Sequence, residues 1–181
     1  MANNAEYVST GKGKSSGYAF IAPAGTALPT DASTALSSDY KVLGYISEDG
    51  ITRSITRDSS SIKDMNGDEV ANLQNGYGET WKATFLESLN PEVLKMYYGA
   101  DNVTVAAGGS ITVHANGAEL PEAIFVFELI QRDEAVRFVI PRGKITEEGD
   151  IVFRAADPVG YDVTIGALKG TNGDYHIMYV A

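Results

Sequence analysis

Tyr77-Gly78-Glu79-Thr80-Trp81-Lys82-Ala83-Thr84-Phe85 carries Tyr77, Trp81, Ala83 and Phe85 on alternate positions, separated by Gly78, Thr80, Lys82 and Thr84. A strand sends successive side chains to opposite faces, so this run reads as a half-buried β-strand. Tyr161, Val163, Ile165 and Ala167, spaced by Asp162, Thr164 and Gly166, repeat the pattern. Eight short segments alternate in this way, and no catalytic cluster lies among them. Many strands without an active site point to a building block rather than an enzyme.

Just upstream, Asp58 to Asn75 is polar and rich in turn residues, with Asn66-Gly67 as a hairpin signal. It reads as a long loop leaving the body of the fold, and such loops are usually functional. Before it, Lys41–Ser47 and Ile51–Arg57 read as strands joined by a tight turn at Asp49-Gly50. The second of them places Ile51, Arg53, Ile55 and Arg57 on one face. Two arginines do not suit an ordinary core face, but they suit an edge or a subunit contact.

Downstream, Asn90 to about Tyr98 predicts the chain's one helix. Asn90 caps it, Pro91 fits the first turn, Glu92 complements the dipole and Gly99 closes it. Val93, Leu94 and Tyr97 form its apolar stripe. Further strands are predicted at Gly17–Ile21, Asn102–Ala106, Ile111–Ala115, Ala123–Gln131, Ala135–Pro141, Asp150–Ala155, Val159–Leu168 and Asp174–Val180, a spacing typical of a sandwich or barrel. Ala123 to Ile130 is apolar on both faces except for Glu128. That acid either pairs with Arg137 on the neighbouring strand or faces a wet channel.

A chain of 181 residues fits one domain and can bury a core without staples. It has no cysteine, which excludes disulfides and cysteine metal sites and suits a reducing compartment. The N-terminus lacks the basic and apolar regions of a signal peptide, and no run approaches the length of a membrane helix. A cytoplasmic product without membrane contact is expected. The net charge is −10, with Lys and Arg scattered, so clustered phosphate gripping is not expected. This acidity reads as solubility, or as a surface that lies near DNA without holding it.

Gly13-Lys14-Ser15 echoes a phosphate loop, but Val8 stands where the first glycine belongs and no helix follows. Asp64, Asn66 and Asp68 open like a calcium loop, but Glu69 and Asn75 occupy its glycine and closing glutamate positions. His114 and His176 have no recognisable catalytic partner, and no cofactor or metal is expected. The ten tyrosines fit ordinary strands, or surfaces that become buried on association.

Two stretches together resemble a known family. Leu43-Gly44-Tyr45-Ile46-Ser47-Glu48-Asp49-Gly50-Ile51 is the first. The second is Thr80 to Gly99, which includes Glu87, Asn90, Pro91, Glu92, Val93, Leu94, Tyr98 and Gly99. They resemble the major tail tube proteins of long, non-contractile-tailed bacteriophages (siphophages), themselves related to type VI secretion tube proteins. The resemblance is strongest over residues 40–100.

It implies a mainly β fold, an antiparallel β-sandwich or half-barrel flanked by one short helix at about residues 90–98. It divides the chain into a flexible arm, residues 1–16, and a single β-domain, residues 17–181, with the long loop 58–76. It also implies a homo-oligomer: hexameric rings stacked into a tube of the virion tail, made and assembled in the host cytoplasm. Tape measure, tail tip or baseplate and tail terminator proteins are the implied partners, and phage DNA passes without specific binding. On this reading Ile51, Arg53, Ile55, Arg57, Asn66 and Gly67 meet neighbouring subunits, and Glu128 lines an acidic lumen. The chain is expected to lack the C-terminal immunoglobulin-like domain that some members carry. Two other readings stay open: a terminator, connector or tip protein that stops at one ring, and a monomeric carbohydrate-binding β-sandwich.

Overall fold

The computed structural model describes residues 3–15 and 17–181. In chain order the strands are β1 (Gly11–Gly13), β2 (Ala19–Pro23), β3 (Lys41–Val42), β4 (Ile46–Lys63), β5 (Glu69–Phe85), β6 (Val103–Val105), β7 (Ile111–Val113), β8 (Ala123–Gln131), β9 (Glu134–Glu148), β10 (Tyr161–Ala167) and β11 (Ile177–Val180). The helix α1 (Pro91–Tyr98) lies between β5 and β6. Among the described residues nine strands form one sheet, whose main path runs β3-β2-β8-β9-β10-β5-β4. β1 adds to β8, β11 adds to β9, and β6 and β7 form a separate small ladder. Every pairing is antiparallel. The protein is therefore mainly β with one short helix, as the alternation predicts, and the sheet is open rather than a closed barrel.

The sheet folds over itself. β8 and β5 are separated by β9 and β10, a gap of about 14 Å in a flat sheet. Yet Trp81 of β5 stacks on Phe127 of β8 with ring centroids 5.8 Å apart. Gly143 permits the bend, since a Cβ there would come within 2.5 Å of the Phe125 ring. Phe125, Phe127, Trp81, Phe85 and Ile165 meet the α1 residues Val93, Leu94, Met96 and Tyr97 in the main core. The other face of β8 presents Ile124 and Val126, which pack with Val139 and Tyr40. There the segment 24–40, through Leu28, Leu36 and Tyr40, covers the sheet. β8 is apolar on both faces because each face has its own cover.

The helix follows its sequence signals. Asn90 accepts a hydrogen bond from the Glu92 amide at 2.9 Å, and the Gly99 amide donates to Lys95. The two stretches that carry the family resemblance touch here. The Glu87 carboxylate accepts from the Tyr45 amide at 3.2 Å and from Asn90 at 2.9 Å. Gly44 sits at φ +80°, and a Cβ there would fall 1.9 Å from the Glu87 carboxyl carbon. Only glycine fits at that junction.

Three expectations are corrected. Asp49-Gly50 is not a hairpin turn: β4 runs through it, with a register shift between Ile46 and Ile51 and Gly50 at φ 72°. The positive φ serves a bulge instead of a turn. Residues 58–75 are not an irregular loop, because most of them extend the β4–β5 ladder. Asp150–Ala155 forms no strand, as no neighbour pairs with it; Ile151 packs on the core while Phe153 is exposed. The N-terminal segment, assigned to a flexible arm, lies against the sheet over part of its length. β1 pairs with Leu129–Gln131, and Arg132 donates to the carbonyls of Val8 and Ala5. Met1, Ala2 and Ser16, also assigned to the arm, lie outside the described residues.

Candidate assembly interface

β5 pairs with β10 only as far as Ala167↔Glu79. Beyond that point β4 and β5 continue alone as a two-stranded ribbon to the turn at Asn66. From Ile55 to Lys63 this projection is about 26 Å long, at 3.3 Å per residue. Its residues are exposed almost throughout, which explains their polar composition: with neither face covered, no alternation is needed. Near the tip the ribbon carries Ile62, Met65, Val70 and Leu73, all large, apolar and exposed, Met65 completely. Asp64 closes the turn by accepting from the amides of Asn66 at 2.8 Å and Asp68 at 2.9 Å, and Gly67 takes φ 91°. These amides hold the Asp64 carboxyl below the usual aspartate range, the Asp68 amide first. The turn accounts for the spacing of Asp64, Asn66 and Asp68.

The residues expected on one β4 face separate into two groups. Ile51 packs partly against the core, whereas Ile55 is 42% exposed. Arg53 lies over the Trp81 ring at 5.8 Å and 3.7 Å from Glu79. Arg57 lies over the Tyr77 ring at 4.8 Å and donates to Gln74 at 3.0 Å. The arginines thus stack on the aromatic side chains directly opposite them in the ladder. Asn66 and Gly67 stand at the far end of the ribbon, away from this group.

Glu128 is buried. It accepts from Nε of Arg137 at 2.8 Å and also from Nη2, and Lys14 approaches it at 3.1 Å. The same guanidinium donates to the carbonyls of Asp31 at 2.5 Å and Thr34 at 2.7 Å. Of the two roles open to Glu128, the structure forms the ion pair. The pair pins segment 24–40 onto the sheet. Lys14 is spent on this pair and not on a phosphate.

One group escaped the sequence reading. Glu79 is buried on the apolar parity of β5, and His176 lies beside it. Glu79 accepts from the Tyr77 hydroxyl at 2.7 Å and from the Trp81 indole at 2.7 Å, and it lies 2.8 Å from Nδ1 of His176. The bond to Glu79 pushes the Tyr77 phenol above its usual range. The signal was a lone acid in place of an apolar residue at position 79, but its partner comes from the far end of the chain.

An open antiparallel sheet, with a projecting ribbon at one edge and the two-residue strand β3 at the other, defines a structural β-protein with unlike ends. The family described as phage tail tube protein matches residues 1–180. The chain belongs to that family, a structural family and not an enzyme family; such subunits assemble into the tube of a virion tail. No curated protein matches the chain. No helix among the described residues is long and apolar enough to cross a membrane.

Proposed function

We propose that this protein is the repeating subunit of a siphophage tail tube. Six copies close head to tail into a ring, rings stack, and DNA passes through the bore during ejection. The observation that carries the reading is the unlike pair of sheet edges. A contact between different edges is heterologous, and heterologous contacts give rings or filaments. Joining the sheets also removes the exposed β4 edge, which would otherwise invite aggregation.

In this reading Ile55, Arg53 and Arg57 meet the neighbour in the ring, with Ile51 behind them. Asn66 and Gly67, at the ribbon tip, reach the next ring. The net charge of −10 supports a bore that repels phosphate. Exposed acids supply that lining. Tape measure, tail tip or baseplate and terminator proteins are the partners, and assembly takes place in the bacterial cytoplasm.

Electron microscopy of the purified chain over a range of concentrations, with and without a tail-tip nucleus, tests this. Hollow tubes built of six-subunit rings are expected. Monomers under every condition, or a bore lined with lysine and arginine, would overturn it.

A further inference from the structure

The place where the ribbon leaves the sheet is mechanically weak. Past Glu79, β5 loses its β10 partner, and two-stranded ribbons twist strongly and are marginal alone. Gly78 and Gly76 follow at once, and the register shifts between Asp58 and Ser59. Glycines beside a bulge leave the direction of the ribbon poorly fixed by the ladder itself.

Glu79 lies at this exit, and its side chain is fully buried at 0% exposure. Its bonds reach Tyr77 on the ribbon side and Trp81 on the sheet side. Nδ1 of His176, from the C-terminal segment, lies 2.8 Å from it. His176 also meets β4, with Nε2 3.4 Å from Nη1 of Arg53. Tyr175 packs on Tyr77 with centroids 4.5 Å apart. The segment holding Tyr175 and His176 runs straight into β11, which is paired to β9 at Val136–Val139 near the centre of the sheet. Both strands of the ribbon are therefore tied at their root to the rigid part of the fold. Burying a carboxylate is costly, and an apolar residue would fill this site at less cost. What the carboxylate adds is direction, since charge-assisted hydrogen bonds are short and oriented.

We infer that Glu79 and His176 form a clasp that sets the angle of the β4–β5 ribbon, and that adding a subunit depends on this angle. This rests on the proposed tube assembly and makes Glu79 a positioning residue for it. Opening the clasp leaves the sheet intact and lets the ribbon swing about Gly76 and Gly78.

The test uses the full chain with Glu79→Gln, which keeps the shape, and His176→Phe, which keeps ring packing but loses the Nδ1 contact with Glu79. Tyr40→Phe is the control: it removes the 2.9 Å bond to the Ala27 carbonyl in the other layer. Amide hydrogen exchange of residues 56–76 and the lowest concentration giving tubes are measured for each. Both clasp variants should exchange faster in that ribbon, with the sheet unchanged. Their assembly threshold should rise about tenfold, equivalent to one net hydrogen bond. Tyr40→Phe should assemble like the parent chain. Should Glu79→Gln fail to fold, His176→Phe together with Tyr77→Phe carries the test.

Unchanged ribbon exchange, an unchanged threshold, or an equal rise for Tyr40→Phe would each overturn the clasp. A parent chain that never forms tubes overturns the proposed function instead, and the exchange comparison then decides the clasp alone.

Discussion

Removing Glu128 should destabilise the monomer more than removing most surface acids would. Its partner Arg137 is 1% exposed, so the guanidinium cannot turn to water when the carboxylate is lost. Two neutral acceptors remain, the carbonyls of Asp31 and Thr34. Breaking a buried pair from one side costs about 3–5 kcal/mol, and the remaining carbonyls place this case near the low end. The second partner, Lys14, is about a third exposed in its side chain and adds little.

At roughly 2–4 °C per kcal/mol for a chain of this size, Glu128→Ala should lower Tm by about 6–12 °C. The double variant Glu128→Leu with Arg137→Met should recover part of that loss. It leaves no lone charge, and the freed carbonyls lie on a segment whose residues 33 and 34 are open to water. Urea unfolding of the parent, Glu128→Leu, Arg137→Met and the double variant completes the cycle. A Glu128→Ala variant within about 1 kcal/mol of the parent would refute the reasoning, as would strictly additive losses.

Ile55→Asp should leave the monomer Tm almost unchanged, because Ile55 is 42% exposed, and it should abolish tubes in electron micrographs. Normal tubes would remove Ile55 from the interface. Gly44→Ala should cost more than about 2 kcal/mol, combining the strain of positive φ with the clash against Glu87; a parent-like Tm would refute this. Asp31 is held down to about 2 by hydrogen bonds, the Thr34 amide first. A depressed folded pKa stabilises the protein above the ordinary value of 3.8, and this support is lost as pH falls from there towards 2. Asp31→Asn should therefore flatten the acid side of a Tm-versus-pH curve, and an unchanged slope would count against this role of the Asp31 hydrogen bonds.

The sequence showed what is locally encoded. Alternation located β5 and β10, a run apolar on both faces located β8, and the Asn90–Pro91–Glu92 signals located the helix, because core faces and caps leave their mark within a few residues. What it hid depends on partners distant in the chain. Asp49-Gly50 carries the positive φ of a turn, but β5 supplies a pairing partner along β4 beyond the bulge, so the strand continues. The ribbon of residues 56–76 has no buried face, and a strand wet on both sides reads as a loop. Arg53 and Arg57 rightly signalled an unusual face. Their partners Trp81 and Tyr77 could be named only once the β4–β5 register was known.

The unpaired edge bears on the function most directly. Natural sheets usually guard an edge with lysine and other charges, bulges, proline or brevity. β4 is 18 residues long, holds its only lysine at its last position and has no proline. The opposite edge, β3, is two residues long. A symmetric dimer would need β4 to lie against itself and would leave both short edges unused. Adding the long edge of one copy to the short-edge side of the next uses both and repeats without limit. A net charge of −10 meanwhile opposes random contact, so that only an interface with good geometry overcomes the repulsion. A long unpaired edge on a strongly acidic protein is therefore consistent with a surface kept for a copy of itself.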